Sequence, residues 1–119
     1  MNHLKKLGRE GEEKAAVYLD ARGFEILERN FRCRFGEIDI IAMDGDTLCF
    51  IEVKTRRNCR FGLPAEAVSR QKMLRVQRCA YAFLQRFRGQ YREIRADIAE
   101  VMVIGNSYYI RYLPGGRSA

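Results

Sequence analysis

The chain has 119 residues, 47% hydrophobic and 31% charged, with 22 lysines and arginines against 15 aspartates and glutamates for a net charge of +7. That length supports one domain with one core, and the hydrophobic share excludes a disordered chain. No apolar run approaches the ~20 residues that span a bilayer, and no secretory signal is visible at the N-terminus, so a cytoplasmic protein with no membrane partner is expected, its basic surplus pointing to nucleic acid.

The first helix is expected from Leu4 to Ala21, ending before Gly23. Leu4, Leu7, Gly8, Gly11, Ala15, Tyr18 and Leu19 make its apolar stripe. Of the clustered acids, Glu12 borders that stripe, whereas Glu10 and Glu13 point away from it. Phe24–Phe31 reads as an edge strand because of its polar content. Phe35–Met43 and Thr47–Lys54 are stronger strands joined by a two-residue turn at Asp44-Gly45. A long basic helix follows from Leu63 to Arg88, with Pro64 near its start. Its stripe is Val68, Val76, Cys79, Ala80, Phe83, Leu84 and Phe87, and Lys72 falls on the same line. Ile94–Ile104 and Tyr108–Tyr112 are two further strands, turning at Gly105-Asn106-Ser107. Tyr108, Tyr109 and Tyr112 are expected to pack on the sheet. Residues 1–113 form the domain, and Pro114–Ala119 reads as a loose tail. The order α-β-β-β-α-β-β predicts an α/β protein with a small sheet flanked by helices.

The four cysteines, Cys33, Cys49, Cys59 and Cys79, include no CxxC pair. Reduced thiols, with Cys49 and Cys79 in the core, are the simpler reading. The informative residues are charges inside apolar strands: Gly36-Glu37-Ile38-Asp39-Ile40-Ile41 and Leu48-Cys49-Phe50-Ile51-Glu52-Val53-Lys54. Such charges are costly unless something pairs with them. With Asp44-Gly45 at the centre of the turn, Met43 pairs with Asp46, Asp39 opposes Phe50 and Glu37 opposes Glu52. Glu37, Asp39, Glu52 and Lys54 then share one face, leaving Ile38, Ile40, Cys49, Ile51 and Val53 on the other. Asp39 and Glu52 become diagonal neighbours, their backbones roughly 7–8 Å apart.

Two carboxylates with a backbone carbonyl, at Asp39, Glu52 and Val53, suit a hard divalent cation such as Mg²⁺ or Mn²⁺ that keeps part of its water. Such an ion polarises a phosphodiester and activates water. Lys54 beside Glu52 is placed to orient that water or to neutralise phosphate charge. Glu12 approaches from the helix as a further ligand or acceptor. Arg56, Arg57 and Arg60 continue from Lys54, and Arg70, Lys72 and Arg75 lie early in the second helix. Both sets suit contacts to a phosphate backbone.

These motifs resemble the PD-(D/E)XK nuclease superfamily and, more narrowly, the YraN-like family of small bacterial proteins, akin to archaeal Holliday-junction resolvases. The resemblance rests on Gly8-Arg9-Glu10-Gly11-Glu12 with Ala15, Tyr18 and Leu19, on Asn30, on Gly36-Glu37-Ile38-Asp39 and on Glu52-Val53-Lys54-Thr55-Arg56. It extends to Lys72 and to Arg95-Ala96-Asp97, where Ala96 replaces the usual aromatic. It implies a restriction-endonuclease-like αβββαβ core with a mixed central sheet flanked by helices. It also implies Asp39 and Glu52 as metal ligands, Lys54 as catalytic lysine and Glu12 as helix acid. The function expected is a metal-dependent endonuclease acting on DNA, branched or flapped, for which a homodimer would supply two sites. The rival expectation is a binding module of a DNA repair or processing assembly with little catalysis. A third is a fold whose charges merely pair.

Overall fold

The computed structural model describes residues 3–57, 70–115 and 117–118. Helix α1 (His3–Ala21) leads into strands β1 (Glu25–Cys33), β2 (Gly36–Asp44) and β3 (Thr47–Arg56). Helix α2 (Arg70–Leu84) precedes β4 (Glu93–Ile104), β5 (Ser107–Leu113) and the short β6 (Arg117–Ser118). One sheet runs β1-β2-β3-β4-β5, with β6 paired to β4. The first three strands form an antiparallel meander, β3 and β4 are parallel, and β5 returns antiparallel. A parallel pair needs a crossover, and the segment carrying α2 supplies it. The αβββαβ order with a mixed sheet is the restriction-endonuclease-like core that the resemblance implies, in the α/β class.

Two apolar layers hold the sheet between the helices. Ala15, Ala16 and Leu19 of α1 pack with Phe24 on Ile40, Ala42, Cys49, Ile51, Ala99 and Val101. Cys79, Ala80 and Phe83 of α2 pack on Phe31, Ile38, Ile41, Met43, Leu48 and Phe50. β3 alternates cleanly between them: Cys49 and Ile51 face α1, and Leu48 and Phe50 face α2. Burial of apolar area on both faces of this central strand is the main force fixing its register.

The turn between β2 and β3 corrects the expected register by two residues. Asp44 pairs with Thr47, so Gly45 and Asp46 form the turn, and Met43 pairs with Leu48 and Ile41 with Phe50. Gly45 takes the positive φ, 62°, that such a turn needs. A shift of two preserves which face each side chain occupies. A second correction concerns Ile38, which joins the α2 layer although Ile40 belongs to the α1 layer. Alternation therefore breaks between them, opposite Asn30, a non-glycine residue at φ 56°.

The second helix closes at Leu84, short of the expected Arg88, with Arg86 and Phe87 both donating to the Phe83 carbonyl. The expected start at Leu63 lies outside the described residues, as do Pro64, Val68, Cys59 and Arg60. Tyr108 and Tyr112 pack against the α1 layer as expected, but Tyr109 is exposed. The chain end departs from a loose tail: Gly115 N–H donates to Asp97 at 2.8 Å, and β6 pairs with Ile94 and Arg95. Asp97 also accepts from Arg95 Nε at 2.9 Å and from the Tyr112 hydroxyl, while Arg95 Nη2 reaches Asp44 at 3.0 Å. This buried network locks β4 to β5 and to the β2–β3 turn. Among the described residues no helix is long and apolar enough to cross a membrane.

Candidate active site

The site begins where β2 and β3 part. Their ladder ends at Ile40–Ile51, so Asp39 stands opposite Glu52 one step further on. This replaces the diagonal placement expected from the sequence and brings the two acids nearer in register. Beyond the last pair, Val53 N–H donates to Asp39 Oδ2 at 2.8 Å. The carboxylate takes the place that a β2 carbonyl would hold in a continuing ladder. A strand N–H left without a partner is costly, so this bond accounts for an aspartate inside an apolar strand. Glu52 and Lys54 continue the row of Leu48 and Phe50, and Lys54 Nζ lies 3.1 Å from Glu52 Oε1.

α1 brings the third acid. A Cβ added at Gly11 would lie 1.9 Å from Thr55 Oγ1, so the helix presses on β3 at a distance only glycine allows. Glu12 follows directly. Its neighbours in the helix fix the rotation: Glu10 accepts from the Tyr108 hydroxyl at 2.6 Å on β5, and Glu13 pairs with Arg29 at 2.9 Å on β1. Glu10 and Glu13, expected to point away from the apolar stripe, reach β5 and β1 on either side and hold Glu12 between them.

The electrostatics show an excess of negative charge. Burial holds the Asp39 carboxyl above the usual carboxylate range, and repulsion from Glu52 and Glu37 adds to it, against the Val53 hydrogen bond and Lys54. Burial likewise raises Glu12, with repulsion from Asp39 and Glu37 and a counter-pull from Arg29. Glu37 itself is paired with Arg32 at 2.8 Å. Glu12 thus feels the charges of Asp39 and Glu37, and Asp39 those of Glu52 and Glu37, with Lys54 pulling the other way on Asp39. All four residues expected to be catalytic from the sequence share one neighbourhood.

The basic residues divide. Arg56 turns inward and lies 3.5 Å from Glu100 Oε2, so it serves an ion pair before any phosphate. Arg57 is exposed just after β3, and Arg75 is exposed on α2. Arg70 and Lys72 belong to the first turn of α2 by their backbone, and Arg60 lies outside the described residues.

Glu100 was not anticipated. It is fully buried on β4, opposite Lys54 on one side and Arg111 on the other. Arg111 donates to its Oε1 from Nη2 at 2.6 Å and from Nε at 3.1 Å. The signal that singled out Asp39, a charge inside an apolar run, was equally present in Ile98-Ala99-Glu100-Val101-Met102-Val103.

The donor set fits a hard cation. Oxygen donors make up the set, and burial, with repulsion from neighbouring carboxylates second, holds Asp39 and Glu12 above the usual range, a cost that a bound divalent ion would offset. Among the described residues no three His, Cys, Asp or Glu side chains form a metal-binding group by themselves. Asp39, Glu52 and Val53, the residues expected from the sequence to hold such an ion, stand together at the fork.

Fold and site together define an α/β protein with a restriction-endonuclease-like core and a carboxylate-lysine cluster at its strand fork. The model of the Uncharacterised protein family UPF0102 matches residues 11–101, which include every residue of that cluster. A UPF0102 protein of Caldicellulosiruptor saccharolyticus is 48% identical over 97 residues, 82% of each chain. One from Dictyoglomus turgidum is 44% identical over 112 residues, 92% of this chain and 95% of its own, and one from Syntrophus aciditrophicus is 48% identical over 96 residues, 81% and 76%. The chain belongs to the UPF0102 family.

Proposed function

We propose that this protein is a metal-dependent nuclease that hydrolyses phosphodiester bonds in DNA. The observation that carries the reading is the Asp39 carboxylate, fixed on Val53 N–H opposite Glu52 and its lysine partner, with Glu12 facing it from α1. Asp39, Glu52 and the Val53 carbonyl would hold Mg²⁺ or Mn²⁺. Such an ion, when bound, polarises the phosphodiester and eases removal of a proton from water.

The remaining work falls to the chain's own groups. Lys54, held beside Glu52, presents an ammonium to the charge that develops on the phosphate and orients the attacking water. Glu12, whose carboxyl holds its proton more readily than an exposed glutamate, is an acceptor for protons released at the site. Arg57 and Arg75, with Arg70 and Lys72 at the start of α2, offer charge to the flanking backbone without reading base identity. Branched or flapped DNA is the substrate class that a charge-only surface would select by shape.

The test is cleavage of linear, flapped and four-way DNA with Mg²⁺ or Mn²⁺ by the wild-type protein, Asp39→Ala and Lys54→Ala. The expected result is metal-dependent cleavage by the wild type alone, with DNA affinity kept in both variants. Binding without metal-dependent cleavage would favour a DNA-binding module instead. Cleavage unchanged in Asp39→Ala would refute the assigned site.

A further inference from the structure

The β1–β2 turn carries a feature that the cleavage site does not use. Phe35 is 36% exposed at its tip, a large aromatic ring with no place in either core layer. Two guanidinium groups flank it: Arg34 from the turn at 5.3 Å and Arg78 from α2 at 5.8 Å from the ring centre. Tyr81, three residues after Arg78 and so its neighbour on the helix surface, is 65% exposed. Among the described residues neither Arg34 nor Arg78 is paired with a carboxylate.

The turn is held in place. Cys33 Sγ and Cys79 Sγ are 3.2 Å apart, tying the end of β1 to α2. Gly36, at φ +142°, takes a backbone conformation that favours glycine, and an added Cβ there would be in ordinary contact with Cys79 Sγ at 3.8 Å. Phe35 is therefore an exposed ring on a braced support. Exposed rings with guanidinium groups beside them are an arrangement that holds unpaired nucleotides: bases stack on the rings, and the cations meet the phosphates. The turn also lies at the site's end of the sheet. Asp39 is four residues along from Phe35, roughly 13 Å of extended strand.

We infer that Phe35 and Tyr81, with Arg34 and Arg78, form a stacking platform for an unpaired stretch of DNA entering the cleavage site. The inference rests on the nucleic-acid reading above and deepens it: the substrate is DNA with a single-stranded segment beside the scissile bond. Every base has an aromatic face, so the platform selects strandedness rather than sequence.

The experiment measures binding by fluorescence anisotropy, in EDTA to prevent cleavage, of a single-stranded DNA oligonucleotide and a blunt duplex. Circular dichroism checks that each variant is folded. Phe35→Ala is expected to weaken single-strand binding about 5- to 150-fold and duplex binding less than about twofold, with Tyr81→Ala acting in the same direction. Phe35→Trp should restore the single-strand affinity. Arg34→Ala and Arg78→Ala should weaken both and each lower the slope of log affinity against log salt by about one. Equal single-strand affinity in folded wild type and Phe35→Ala would overturn the platform, as would RNA displacing the DNA oligonucleotide at far lower concentration than DNA itself. The nuclease reading fails separately. Metal-dependent cleavage of duplex by a Phe35→Ala protein with unchanged single-strand affinity would leave the site standing and remove the platform. Stacking-dependent binding without cleavage would do the reverse.

Discussion

Replacing Gly11 by alanine sets two effects of opposite sign against each other. In an exposed helix interior the change stabilises by up to about 1 kcal/mol, because alanine loses less backbone entropy. At Gly11 the new Cβ would stand 1.9 Å from Thr55 Oγ1 and 3.0 Å from both Thr55 Cβ and Cγ2. Rotation about χ1 does not move Thr55 Cβ from 3.0 Å, and the β-branch leaves few rotamers in which to relieve the contact. Overpacking of this kind costs about 3 kcal/mol at the upper end of its usual range, so the net expectation is a loss of about 2 kcal/mol. For a domain of this size that lowers the melting temperature by roughly 6–12 °C. Gly8 in the same helix is the control: nothing lies within 4 Å of its added Cβ, so Gly8→Ala should raise the melting temperature. Thr55→Ala should recover part of the loss in the double variant, and the coupling is readable from a mutant cycle. Scanning calorimetry decides the matter. A Gly11→Ala protein as stable as Gly8→Ala would refute the close approach of α1 to β3, and with it the placement of Glu12.

Three further substitutions test the charges. The Asp39 carboxyl titrates above its unfolded value, so the fold favours the protonated form, and ionisation as pH rises through the raised value costs stability. Asp39→Asn keeps an acceptor for Val53 N–H, so it should melt higher than wild type at pH 7.5, with the gap closing as pH falls below about 4. Glu100→Gln removes the buried negative charge that faces both Arg56 and Arg111 and should cost about 1–3 kcal/mol in urea denaturation. Asp97→Ala takes the nearer carboxylate from the buried Arg95, leaving its ion pair with Asp44, and should cost about 3 kcal/mol by the same measurement.

The legible parts of this protein were those set by local pattern. Asp39, Glu52 and Lys54 stood out because charges in apolar strands are rare, and their grouping survived the register error because Asp44-Gly45 and Gly45-Asp46 both make two-residue turns of the same parity. Glu12 was found from helical spacing alone. What escaped detection depends on contacts distant in sequence. The side to which Ile38 turns follows from the backbone at Asn30 on the neighbouring strand, which periodicity within β2 does not reveal. Glu100 carried the same local signal as Asp39, but its meaning comes from Arg56 and Arg111 on two other strands. The chain end read as loose because Pro114-Gly115-Gly116 has tail composition, whereas its anchor is a buried aspartate in β4.

The claim on which the functional reading turns is that Asp39 and Glu52 make one cation site at the fork between β2 and β3. Calorimetric titration of Mn²⁺ into the wild-type protein, Asp39→Asn and Glu52→Gln tests it without reference to activity. One site per chain in the wild type, lost in each variant while the variants remain folded, is the expected result. Binding of equal strength in all three proteins would contradict it.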